Sequence, residues 1–96
     1  MAEILIERET EIDRGWSFDV VARGPGGVET RYRVGLSWAD YNLWSGGRVA
    51  PERVARAAMR FMTERGGVGA LGKEFDLAAL RRHDPAIDRE LPGMLE

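Results

Sequence analysis

Two runs of alternating apolar and polar residues, WSFDVVAR and VETRYRVGLSW, stand on either side of Gly24-Pro25-Gly26-Gly27. A period of two sends successive side chains to opposite faces of a strand, so Trp16, Phe18, Val20 and Ala22 share one face. Ser17, Asp19, Val21 and Arg23 take the other. In the second run Val28, Thr30, Tyr32, Val34, Leu36 and Trp38 face one way, and Glu29, Arg31, Arg33, Gly35 and Ser37 the opposite way. Proline presets one φ and glycine accepts positive φ, so GPGG is a turn and the two runs make an antiparallel hairpin. One face carries nearly all the bulk and needs cover; the other, with Arg31 near Asp19 in a tight register, faces water. A hairpin alone is marginal in water, so helices must supply the cover, with Ile4 to Ile6 as a third, edge strand.

The rest of the pattern is helical. Ser37 and Asp40 have the spacing of a capping box, so Trp38 to Trp44 reads as one or two turns of helix or tight turn, closed by Gly46-Gly47. Pro51 opens the main helix with Glu52 at its positive end; Val54, Ala57, Ala58, Phe61 and Met62 line its apolar side, and Gly66-Gly67 ends it. Residues 68–74 read as a glycine-rich loop. Asp76 caps a short helix through Arg82, and Asp84-Pro85 starts another that ends at Pro92-Gly93. The fold class is α+β. A hairpin or small three-stranded sheet in the N-terminal half packs against a main helix and two short C-terminal helices, in one domain over residues 1–96.

Several function classes are disfavoured by composition. Without cysteine there is no thiol nucleophile and no Cys-based metal site. The start, MAEILIERETEID, lacks a basic leader, and no run approaches the roughly 20 apolar residues of a membrane helix, so a cytoplasmic, soluble chain is expected. A net charge of −2 provides no global attraction for nucleic acid or an anionic membrane. No cofactor and no metal are expected: a single histidine, His83, and scattered aspartates make no zinc or EF-hand pattern. Neither GPGG nor GGVGALG matches a phosphate-binding fingerprint. His83 beside Asp84 reads as a solvated helix boundary rather than a catalytic pair, so no catalytic residue is assigned.

Two contact surfaces are open to the chain. Tryptophan and tyrosine anchor interfaces well, yet a chain this short needs most of its large aromatics inside. Trp16 and Trp38 are read as core. Trp44 beside the double glycine, with Tyr41 and Arg48, is read as the partner-binding surface, homodimeric or for a small protein partner. The alternative is a regulatory nucleic-acid binder, in which Arg48, Arg53, Arg56 and Arg60 meet phosphates. Glu52 four before Arg56 and Glu64 four after Arg60 dilute that stripe by intrahelical pairing.

The order of hairpin, Trp38 to Asp40-Tyr41, Ser45-Gly46-Gly47-Arg48, Pro51-Glu52, Phe75-Asp76-Leu77 and Ile87 resembles a family of small, uncharacterised bacterial proteins. That resemblance spans Trp16 to Leu91 and implies a small bacterial domain without naming an activity. Arg48 to Arg65 also resembles the helix after the strand in antitoxin-type DNA-binding proteins, from which the long hairpin and the interspersed glutamates depart. The expected function is a non-catalytic interaction or accessory protein.

Overall fold

A computed structural model describes residues 3–65 and 71–95. Its sheet has the order β1-β2-β3-β4, formed by β1 (Glu3–Ile12), β2 (Gly15–Arg23), β3 (Glu29–Ser37) and β4 (Glu74–Asp76). The first three strands are antiparallel neighbours, and β4 joins β3 in parallel. Four α-helices accompany it among the described residues: α1 (Trp38–Ser45), α2 (Pro51–Glu64), α3 (Ala78–His83) and α4 (Ile87–Met94). This is the expected α+β class, with β4 as an added strand.

The hairpin loop sets the register. Gly24 N donates to Val28 O at 2.8 Å, and Gly26 and Gly27 both take φ of +80°, a backbone that a side chain would strain. Five residues are thus spent between Arg23 and its partner Glu29, which places Arg33, not Arg31, opposite Asp19. Arg31 lies opposite Val21 and pairs with Glu7 of β1 instead.

β1 is longer than the three residues expected. Its register shifts between Ile6 and Arg8, so Glu7 forms a bulge. Beyond it, charged residues dominate an edge whose unpaired backbone would otherwise invite another strand. On the outer sheet face, Arg23 reaches Glu3 at 3.1 Å and Glu29 at 2.8 Å, and Arg33 reaches Asp19 at 3.2 Å. The side expected to meet water therefore carries a lattice of cross-strand ion pairs.

The inner face is apolar. Ile4, Phe18, Val20, Tyr32, Val34 and Leu36 pack against Val54, Ala58, Phe61 and Met62 of α2 and against Leu80, Ile87 and Leu91. Each such side chain, fully buried, contributes about 1.5–3 kcal/mol of hydrophobic stabilisation. α2 also buries Ala55 and Met59, so its inward side is wider than the stripe read from the sequence.

Pro51 occupies the first turn of α2 as expected. The expected stop at Gly66-Gly67, and the first three residues of the loop after it, lie outside the described residues. Pro92-Gly93 does not end the last helix: α4 continues through Pro92 to Met94. In so short a helix proline forfeits one bond, that to the Asp88 carbonyl. β4 forms between the expected loop, which it overlaps at Glu74, and the expected cap at Asp76, because Arg33 N bonds to Lys73 O and Leu77 N to Gly35 O, each at 2.8 Å, on either side of three paired residues. Among the described residues no helix is long and apolar enough to cross a membrane.

Candidate functional site

The segment between β3 and α2 holds the aromatics that the sequence singles out, and it reverses their expected places. Ser37 Oγ accepts from Asp40 N at 3.1 Å, capping α1. The cap ends the strand alternation at Ser37, so Trp38 does not take the core face of β3 and is 49% exposed. Trp44 is 1% exposed. It lies on the inward side of α1, where its indole Nε1 donates to Asp88 Oδ1 at 2.9 Å. Trp16 is half-buried, edge-on to Tyr41 with ring centroids 5.1 Å apart.

The residues assigned to partner binding are consequently engaged within the protein. Trp44 is buried on Asp88. Tyr41 Oη donates to Val49 O at 2.6 Å, and Arg48 Nε donates to Ser45 O at 3.0 Å. The outward side of α1 is made by other residues. Trp38, Ala39, Asn42 and Leu43 are all exposed, Leu43 at 52%, and none carries a charge. Asp40, the one acid in this helix, points inward and is 5% exposed.

Inside α1 lies a polar cluster that the sequence reading missed. Arg81 Nη1 donates to Asp40 Oδ1 at 3.1 Å, while its Nε and Nη2 donate to the Asp88 carboxylate at 3.0 to 3.2 Å. Asp40 Oδ2 is buried with no donor among the described residues. Burial pushes the Asp40 carboxyl above the ordinary aspartate range, although Arg81 pulls it down. Hydrogen bonds from Arg81, and secondarily from Trp44, hold Asp88 below that range. The only signal in the sequence was generic: a buried tryptophan needs an acceptor for its N–H, and nothing local identifies Asp88.

Three of the four arginines proposed for phosphates come together. Arg53, Arg56 and Arg60 line one groove between α2 and the end of α4, with Ala57, Met94 and Leu95. Arg48 is held at the end of α1 instead. Glu52 pairs with Arg56 at 2.6 Å as its spacing predicts, but among the described residues no ion pair joins Glu64 to Arg60.

His83 closes α3 and is exposed, its side chain without a hydrogen bond or ion pair among the described residues. Asp84 faces Arg65 at 2.8 Å, so the two neighbours make no acid–base pair. No cluster of three or more potential metal ligands occurs among the described residues. Comparison with protein-family models, curated proteins and solved structures found no match.

Proposed function

We propose that this chain is a non-catalytic contact domain, acting in the cytoplasm, whose outward α1 face pairs with a second copy of itself. The observation that carries this reading is the uncharged face of Trp38, Ala39, Asn42 and Leu43 in a chain of which 31% is charged. Two large apolar side chains there stay half in water, an arrangement that loses hydrophobic stabilisation unless another surface covers them. Antiparallel pairing of two such faces sets each Trp38 opposite a Leu43, which suits a twofold, self-complementary contact. The edge of β1 is a poor alternative, since its bulge and charges oppose strand addition.

Sedimentation equilibrium over a wide concentration range tests the reading. The expected result is a concentration-dependent dimer that Leu43→Glu abolishes and Val28→Glu, at an exposed position in the hairpin loop, leaves intact. A monomer at every concentration overturns it. So does a dimer indifferent to Leu43→Glu.

A further inference from the structure

We propose that the groove between α2 and the end of α4 binds a phosphate monoester, its dianion held by Arg53, Arg56 and Arg60 and its organic group resting on Met94. The groove encloses about 180 Å³, room for several waters or a small ligand head. Spacing of three and four residues puts the three guanidinium groups on one stripe of α2, where like charges repel by a few tenths of a kcal/mol per pair.

The internal acceptors leave most of this donor capacity unused. Arg60 has none among the described residues. Among the described residues Arg53 reaches only the Leu95 carbonyl, at 3.4 Å, a long bond at the end of α4. Arg56 meets Glu52 through Nη2, while its Nε is buried without an acceptor. A buried N–H with no acceptor is an expensive arrangement, and an oxyanion reaches it only once Arg56 turns its fork toward the groove. Arginine suits that ligand, since its planar fork matches phosphate oxygens two at a time. Glu64 lines the adjacent depression with Glu90, not this groove. Across from the arginines the half-buried Met94 offers the one apolar contact of any size, which an ester's organic group would use and the bare ion would not.

Arginine Nε–Hε and methionine methyl NMR signals of the full chain give the test, with phenyl phosphate, inorganic phosphate and a single-stranded oligonucleotide as separate probes. Phenyl phosphate is expected to shift Arg56 and Arg60 saturably and to move the Met94 methyl, which inorganic phosphate leaves in place. Arg60→Gln should weaken phenyl phosphate about fivefold or more, the scale of one lost charge-assisted hydrogen bond. Arg82→Gln, at another exposed position, should leave it unchanged. No saturable shift at Arg53, Arg56 or Arg60, or equal affinity in Arg60→Gln, overturns the proposal. Shifts produced by the oligonucleotide alone overturn the small-ester class and assign the seat to a strand backbone, whose binding falls steeply with salt. The groove is separate from the outward α1 face, so either reading can fail without the other.

Discussion

Trp44 and Asp88, 44 residues apart, are joined by an indole hydrogen bond of 2.9 Å that ties α1 to α4. Asp88 also receives Arg81, whose other arm holds Asp40. One aspartate thus fixes the largest buried side chain of the protein and the end of a polar bridge between three helices.

Trp44→Phe keeps much of the apolar volume and removes the N–H. It should lower stability by about 1–3 kcal/mol, the range for a hydrogen bond to a charged group together with a lost ring. Trp44→Ala should lose about 3–5 kcal/mol. Urea denaturation followed by circular dichroism measures both, with the slope unchanged if only the folded state is affected.

The two aspartates respond oppositely to pH. Asp40, with its pKa raised by burial, is protonated in both folded and unfolded chains at strongly acid pH; on raising the pH the unfolded chain ionises first, and stability falls through the folded value. Asp88, with its pKa lowered by Arg81, contributes stability above the ordinary aspartate value and loses it as pH falls through the lower folded value. Asp40→Asn removes only the first effect. Its stability relative to the wild type should therefore be more favourable at about pH 7 than at about pH 3, on either side of the carboxylate range. Denaturant titrations at the two pH values decide this; the reverse order would mean that pairing with Arg81 outweighs burial.

Gly15 and Gly35 differ in what a methyl group would meet. A Cβ at Gly15 would lie 2.2 Å from the Leu36 carbonyl oxygen, a backbone atom that cannot swing aside. Gly15→Ala should cost about 3 kcal/mol or more, at the upper end of overpacking. At Gly35 the nearest atom is Asp76 Oδ2 at 3.2 Å, a side-chain oxygen that need shift only a few tenths of an ångström while Asp76 Oδ1 keeps its bond from Ala78 N. Gly35→Ala should cost less than about 1 kcal/mol. Thermal unfolding of the two variants side by side separates them.

The ion pairs of the outer sheet face are solvent-exposed. Arg33→Gln should change stability by less than about 1 kcal/mol, and the difference should vanish near 1 M NaCl. Arg23→Gln, which releases carboxylates on both neighbouring strands, should show the larger effect. Chemical denaturation at low and high salt provides the comparison.

These residues also show what sequence reasoning can reach. The hairpin, the main helix and the cap at Ser37 are set by short-range signals, and each lies where its pattern points. At Trp38 two local signals conflict, strand alternation and helix capping, and capping prevails because its hydrogen bond to Asp40 N ends the strand one residue earlier. Trp44 was misplaced for a different reason: its acceptor lies on α4, and no local pattern contains Asp88. β4 depends likewise on pairing with β3, since Glu74-Phe75-Asp76 is too short to alternate. The arginine stripe was legible from helical spacing, whereas Met94 and Leu95 across the groove belong to tertiary packing.

The three tryptophans form a graded set of optical probes. Trp44 is sealed from a collisional quencher, Trp16 is partly shielded beside Tyr41, and Trp38 is open to it. Iodide should therefore dim chiefly one component of the emission, and a body landing on α1 should protect that same component. Unfolding would expose all three. The protein thus distinguishes occupation of its surface from loss of its core by the colour and accessibility of its own light.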